Sequence, residues 1–348
     1  MIQWILALLL AAGAAAAEPP KTPPKKLELS PEDQEKLTSI VRELNRRAAL
    51  FSLSQIGVYG SLPADPRWEA VTTSKLLLQL KPVAGDDRHE VFDAPNTTGV
   101  QDNIKATAAI LPETTLEPAM GTGVNWTLNK KTMQATHVLC DGENFAKEDA
   151  PAVCTAFLVA PQVVATAGHC ITSPGQLRDN VFVFGFDCIS AGNCRDVFNV
   201  CDVYHGISIA RQRSGNIDWA LVRLDRAVTG RTPVVRSSAA PPAGTELYMI
   251  GHAAGGPAKY IDNGHVLTAM ADSFTTDLDG FEANSGSPVF ETATDKLVGV
   301  FITAGATFTP RNDKVCNVTV TCGEACPGVV MNVDQLAAVG LVGTLTCP

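Results

Sequence analysis

The spacing of apolar residues differs between two parts of the chain. Within residues 31–50, apolar side chains recur every three or four positions, at Leu37, Ile40, Val41, Leu44 and Ala48. This spacing predicts an amphipathic helix over about 31–50. Ser30 suits the N-cap and Pro31 the first helical position. The apolar face of this helix requires a partner surface, either on the rest of the chain or on another protein.

From residue 83 onwards, short apolar or alternating runs are bounded by Gly, Pro, Asn and Asp, which predicts β-strands. The clearest runs are "TAAIL", "TAFLVA", "QVVATA", "NVFVFGF", "ALVRL", "ELYMIG", "SPVF" and "LVGVFITA". Because no long helical pattern separates them, parallel βαβ units are not expected. Many short strands with turn signals predict an all-β barrel or sandwich. The tail "MNVDQLAAVGLVGT" leaves room for one short helix.

The first seventeen residues, "MIQWILALLLAAGAAAA", are typical of a secretory signal peptide that ends at Ala17. The alternative, a transmembrane anchor, is disfavoured because the run is short and rich in alanine. A proline-rich basic linker follows at 18–26. We therefore divide the chain into a signal peptide (1–17), a linker with a helical segment (18–82) and a main domain (83–348). This organisation predicts a secreted or periplasmic protein with no membrane anchor once the signal is removed.

The main domain is acidic. Of the 27 basic and 36 acidic residues, residues 18–82 hold 10 and 8, which leaves 17 and 28, a net charge of −11, for residues 83–348. A surface of this charge repels phosphate backbones, so nucleic acid is not an expected partner.

All ten cysteines lie beyond residue 139, at Cys140, Cys154, Cys170, Cys188, Cys194, Cys201, Cys316, Cys322, Cys326 and Cys347. An even number of cysteines in an exported chain predicts disulfides. The alternative is a zinc site in the Cys316–Cys326 cluster, but no histidine lies near it. We therefore predict neither a metal nor a cofactor.

The stretch "EANSGSPVF" raises the question of whether Ser285 is a nucleophile, since a serine hydroxyl needs an adjacent base. Among the six histidines, His169 has the most specific context, in "CTAFLVAPQVVATAGHC". A Cys154–Cys170 bridge would attach its loop to the preceding hairpin. The acid that orients this base is expected at Asp218, which leads into the apolar run "WALVRL". A buried acid there requires a partner.

Together, "ATAGHC", "DWALVRL" and "NSGSPV" resemble, in the order His, Asp, Ser, the trypsin-like serine peptidases of the chymotrypsin fold. Two further segments, "DDRHEV" and "GHAAGGPAKY", resemble the bacterial branch that contains the glutamyl endopeptidases. The resemblance covers about residues 83–310. It implies two six-stranded antiparallel β-barrels with the site in the cleft between them.

The resemblance implies that Ser285 is the nucleophile, His169 the general base and then acid, and Asp218 the orienting acid. Asp225, which ends the same strand, is the rival for the acid. The predicted function is a secreted, monomeric serine endopeptidase that acts on proteins or peptides through an acyl-enzyme intermediate. Residues 18–82 are then a pro-segment that is cut away.

The backbone N–H groups of Ser285 and Ala283 are expected to form the oxyanion hole. Here the sequence departs from the family, which has glycine at the position of Ala283. If that backbone needs a glycine-like conformation, alanine costs about 1 kcal/mol or flips the peptide. The alternative function is therefore a catalytically impaired, protease-like binding protein. Asn284 carries no charge, so activation by a new N-terminal ammonium, as in animal trypsins, is not expected.

For substrate selection, Asp279 lies six residues before Ser285, where trypsins place the acid that binds Arg or Lys. The opposite pocket wall is expected at 299–306, with Phe301 and Thr303 as substrate-binding residues. Relatives that cleave after glutamate have a histidine in this segment, so glutamate preference is not expected.

His252 lies in a segment that resembles lipase oxyanion loops only loosely. Because Ser285 lacks a G-x-S-x-G elbow, we interpret His252 as structural.

Overall fold

The computed structural model describes residues 86–119, 125–214, 217–311, 315–320 and 327–336. The predicted signal peptide, the linker and the 31–50 helix lie outside the described residues. Within the described ranges, no helix is long and apolar enough to cross a lipid bilayer.

Six antiparallel strands close into a first barrel, in the order β11-β12-β6-β5-β2-β7. Its strands are β2 (Thr107–Pro112), β5 (Cys154–Ala160), β6 (Val163–Thr166), β7 (Asn180–Phe184), β11 (Val203–Ser214) and β12 (Ile217–Leu224). All of them except β11 overlap an apolar run that the sequence pattern identified as a strand. The β5–β6 hairpin turns through Pro161, which is exposed, and Gln162, which is buried and donates to the Leu224 carbonyl at 2.8 Å.

A second set of six antiparallel strands also closes, because β15 pairs with both β20 and β14. Its strands are β13 (Glu246–Gly251), β14 (Lys259–Ala269), β15 (Ser273–Thr276), β16 (Pro288–Glu291), β17 (Lys296–Thr303) and β20 (Gly328–Asn332). A short strand β1 (Arg88–Glu90) is added on the outside of β14. Two closed six-stranded antiparallel barrels define the chymotrypsin-like fold, and the predicted fold class is confirmed.

Smaller elements connect the barrel strands. The short strands are β3 (Leu116–Pro118), β4 (Asn125–Leu128), β8 (Cys188–Ser190), β9 (Asn193–Cys194), β10 (Val197–Asn199), β18 (Phe308–Pro310) and β19 (Asn317–Thr319). The helices are α1 (Thr98–Ala106), α2 (Met133–His137) and α3 (Pro174–Asp179). In the tail, where the sequence left room for a helix, the described part contains only a 3-10 turn at Val333–Gln335.

The two barrels share one hydrophobic cluster. Ile110 and Phe182 from the first barrel belong to the same buried cluster as Tyr248, Phe290 and Met331 from the second. Because this packing fixes the barrels against each other, the loops at their junction have defined positions.

Three disulfides join described cysteines: Cys140–Cys316, Cys154–Cys170 and Cys188–Cys194. Cys201 is also disulfide-bonded. Cys316, which we considered as a zinc ligand, is therefore bonded to Cys140. The other two members of that cluster and Cys347 lie outside the described residues.

Candidate active site

His169 lies in the loop that follows β6, and two contacts attach this loop to β5. Its neighbour Cys170 forms the disulfide with Cys154 at the start of β5, as expected from the sequence. The hydroxyl of Thr166 donates to the carbonyl of Thr155 at 2.7 Å. The imidazole itself is 30% exposed, so it is supported from one side and open to solvent on the other.

Asp218 supports the imidazole from the interior. Its Oδ2 atom lies 2.6 Å from Nδ1 of His169, and its side chain is only 6% exposed. Because an ionised carboxylate only accepts hydrogen bonds, Nδ1 carries the proton and Nε2 faces away with its lone pair. The sequence placed Asp218 before the strand, whereas it is the second residue of β12. The rival, Asp225, follows the other end of β12 and pairs with Arg226.

Ser285 lies on a tight turn between β15 and β16, close to the histidine loop. Its carbonyl oxygen accepts from Thr155 N–H at 2.9 Å and lies 3.5 Å from the disulfide sulfur of Cys170. The Ser285 hydroxyl donates to the carbonyl of Ile302 at 3.0 Å. The turn depends on Gly286, which has φ of +89° and approaches β5 so closely that a Cβ atom would lie 2.2 Å from the Thr155 oxygen.

Ala283 adopts the left-handed backbone conformation, with φ of +66°. The preceding carbonyl, that of Glu282, accepts from Ala254 N–H at 2.7 Å. In a trans peptide the N–H points opposite to the C=O, so Ala283 N–H is directed away from Ala254. The carbonyl of Ala283 accepts from the Thr155 hydroxyl at 3.0 Å. Among the described residues, neither the Ala283 nor the Ser285 N–H donates a hydrogen bond.

Asp279 is bound to the beginning of the described chain. Its carboxylate accepts from the Asp87 N–H at 3.1 Å, and burial raises the pKa of this carboxyl to about 6. Beside it, the Arg88 guanidinium lies 4.0 Å from the Phe281 ring centre and forms two 2.7 Å hydrogen bonds to Asp86. This contact between the 86–88 segment and the predicted specificity residue was not expected from the sequence.

The other two predicted substrate-binding residues lie on β17, which passes Ser285, the predicted nucleophile. Phe301 is buried inside the second barrel, where its ring lies between Gly280 and Gly328. A Cβ atom on these glycines would lie 2.4 and 2.6 Å from the ring. Thr303 is half-buried and donates to the Ala304 carbonyl at 3.3 Å.

His252 is buried next to this region and is held by Nδ1, which donates to the Gly256 carbonyl at 3.0 Å. Its ring stacks on Phe186 with centroids 5.6 Å apart. Burial lowers the pKa of His252 to about 4, so the side chain is neutral at physiological pH.

A second buried group, Lys259, was missed by the sequence analysis. Its fully buried ammonium donates to Glu90 at 2.8 Å and to Glu148 at 2.7 Å. Burial raises the pKa of Glu148 above its ordinary value, although the neighbouring Lys259 charge lowers it. These ion pairs attach β1 and the loop before β5 to β14. The only sequence signal was a lysine inside the motif "GHAAGGPAKY".

Residues 154–300 match the family model of the trypsin-like peptidase domain. The matched range includes His169, Asp218 and Ser285, and the resemblance predicted from their motifs is confirmed. Over this range the chain is therefore similar to the trypsin-like peptidases.

Two solved structures illustrate the structural neighbours. One is the Rv3671c protease of M. tuberculosis H37Rv in an inactive form, with 12% identity, coverage of 69% of this chain and 87% of that chain, and a TM-score of 0.39. The other is a Glu endopeptidase in complex with MPD, with 13% identity, coverage of 72% and 93%, and a TM-score of 0.42. The fold assignment depends on the closure of the two barrels. No curated protein matches the chain.

Proposed function

We propose that the protein is a secreted serine endopeptidase that uses Ser285, His169 and Asp218 as its catalytic triad. The observation that supports this most strongly is the 2.6 Å contact between Asp218 and His169, formed where the disulfide beside His169 touches the Ser285 backbone. Three motifs that are far apart in the sequence thus meet at the junction of the two barrels.

In the proposed reaction, the Ser285 hydroxyl first rotates away from the Ile302 carbonyl towards Nε2 of His169. The hydroxyl oxygen attacks the scissile carbonyl carbon while Nε2 takes its proton. Asp218 keeps Nδ1 protonated and stabilises the imidazolium. His169 then donates the proton to the departing amine, which leaves an acyl-enzyme. Water, deprotonated by the same histidine, then attacks the ester carbon, and His169 donates that proton to the Ser285 oxygen as the carboxylic acid product leaves.

The N–H groups of Ala283 and Ser285 are proposed to bind the negatively charged oxygen of the tetrahedral intermediate. Support comes from the orientation of the Glu282 carbonyl, which is held by Ala254 instead of pointing towards Ser285. The left-handed conformation of alanine costs on the order of 1 kcal/mol, which is small compared with the packing around this buried turn.

A catalytically impaired binding protein is the second candidate, and Ala283 is the observation that favours it. Hydrolysis of fluorescently labelled casein distinguishes the endopeptidase from the binding protein. Casein offers many different peptide bonds, so the assay does not presuppose a cleavage preference. The proposal predicts hydrolysis by the wild type and its loss in Ser285→Ala. A folded, fully processed wild type that binds casein without cleaving it would support the second candidate.

Export and processing complete the proposal, with residues 1–17 as the signal peptide and 18–82 as a removable pro-segment. The disulfides support an oxidising compartment. The charges of the two parts, +2 for 18–82 and −11 for 83–348, favour their association before cleavage.

A further inference from the structure

The peptide that joins Glu282 to Ala283 and the peptide before it are each held by one hydrogen bond. The Glu282 N–H donates to the hydroxyl of Thr307 at 2.6 Å. The Glu282 carbonyl accepts from the N–H of Ala254 at 2.7 Å. Since this carbonyl and the Ala283 N–H belong to one planar peptide, whatever holds Ala254 in place also sets the direction of the Ala283 N–H.

Ala254 is itself held by a histidine outside the triad. It has φ of +54° and ψ of +24°, a left-handed conformation that needs support from its surroundings. Its carbonyl oxygen lies 2.9 Å from Nε2 of His137, at the end of α2. Because a carbonyl only accepts, Nε2 carries the proton and donates it to Ala254.

The position of His137 is fixed by three further contacts. Its ring packs against Phe308, with centroids 4.7 Å apart, and its carbonyl accepts from the Asn317 side chain at 2.7 Å. Asn317 follows Cys316, which the disulfide attaches to Cys140 on the same side of the molecule. The imidazole is 14% exposed, and its Nδ1 atom lies 3.8 Å from the Glu282 carboxylate. His137 therefore contacts both the turn that holds the peptide and the residue that begins it.

We propose that His137 is a positioning residue for the oxyanion hole, acting through Ala254 on the peptide between Glu282 and Ala283. This role rests on the proposed function. Without the His137 hydrogen bond, the 253–255 turn loses a constraint on its left-handed residue, and the Ala283 N–H loses its fixed direction. Complete removal of one oxyanion donor costs about 100- to 1000-fold in rate, so partial misdirection is expected to cost about 10- to 100-fold in kcat.

The test compares His137→Ala, His137→Gln and His137→Asn in the processed enzyme. The glutamine amide nitrogen reaches about as far as Nε2 of histidine and restores the donor, whereas the asparagine amide is too short. With a peptide taken from a casein cleavage site, the Ala and Asn variants are expected to lose about 10- to 100-fold in kcat, with KM within about twofold of wild type. His137→Gln is expected to stay within about threefold in kcat. His205→Ala, at an exposed histidine on β11, is the matched control and should retain full activity.

Two results would overturn the role of His137. One is wild-type kcat in His137→Ala. The other is an equal loss in the Ala and Gln variants that follows their loss of melting temperature, which would indicate a purely structural residue. If His137→Ala does not fold, the comparison of His137→Gln with His137→Asn carries the test, and equal kcat in these two folded variants would also refute the proposal. An inactive wild type would overturn the proposed function first, and this role with it.

Discussion

Replacement of Ala283 by glycine changes only one methyl group, at the position that decides between the two candidate functions. Alanine at φ of +66° carries a left-handed penalty of about 1–2 kcal/mol, which glycine does not. Glycine in turn adds unfolded-state entropy that costs about 0.5–1 kcal/mol. The difference predicts a net gain of about 0–1.5 kcal/mol in the free energy of unfolding, equivalent to a rise of about 0–6 °C in melting temperature.

The effect on activity follows from the hydrogen bonds around this turn. The Glu282 carbonyl and the Ala283 carbonyl are held by Ala254 and Thr155, and neither contact involves the Ala283 methyl group. We therefore expect Ala283→Gly to retain both proposed oxyanion donors, with kcat equal to wild type or higher. The assay is hydrolysis of labelled casein, with melting temperature measured on the same samples.

A loss of 100-fold or more in kcat, with the melting temperature unchanged, would refute this reasoning. It would mean that alanine, and not the left-handed backbone alone, keeps the donors in place. Ala283→Val is the matched control. Because a β-branched side chain strongly disfavours positive φ, this variant is expected to lose both stability and activity.

Three further predictions concern the orienting acid, the buried carboxyl of Asp279 and the cleavage of the pro-segment. Asp218→Asn should lower kcat by about 10⁴-fold, because the tautomer of His169 is no longer fixed. The control variant Asp225→Asn should retain nearly full activity. Equal losses of kcat in the two variants would show that Asp218 is not the orienting acid. For Asp279, the folded-state pKa of about 6 lies above the ordinary 3.8, so the folded state binds the proton more tightly and the free energy of unfolding falls as pH rises from about 4 to 6. Asp279→Asn should flatten that fall by about 1–2 kcal/mol in urea titrations, and an unchanged profile would show that another group causes it. N-terminal sequencing of the secreted protein should find a chain that begins within about 60–85; an active chain that begins near residue 18 would rule out the pro-segment.

Eight of the twelve barrel strands overlap an apolar run that the sequence analysis named, because alternating or continuous apolar runs are local signals, whereas β11, β14, β15 and β20 overlap none. The run "TAFLVA" and the following "QVVATA" predicted β5 and β6 almost to their ends. Closure of the second barrel was not derivable from such runs, because it depends on β15 pairing with β14 and β20. Helix α1 was missed because its nine residues carry only a few apolar side chains and depend on the Thr97 cap.

The candidate triad could be predicted because each member lies in a motif of several residues. The contacts around the triad could not be predicted from the sequence. The pairing of Lys259 with Glu90 and Glu148 joins residues over 100 positions apart, and buried charges leave no periodic pattern. The contact from His137 to Ala254 depends on a loop conformation that only tertiary packing sets.

Labelling with a fluorophosphonate probe tests the central claim most directly, because the probe reacts only with a serine that an adjacent base activates and an oxyanion hole supports. We predict one phosphonyl adduct per processed chain, which peptide mass mapping locates to Ser285. Labelling should be absent in Ser285→Ala and strongly slowed in His169→Ala. Absence of labelling in folded, fully processed wild type, or an adduct on another residue, would contradict the assignment of Ser285 as the nucleophile.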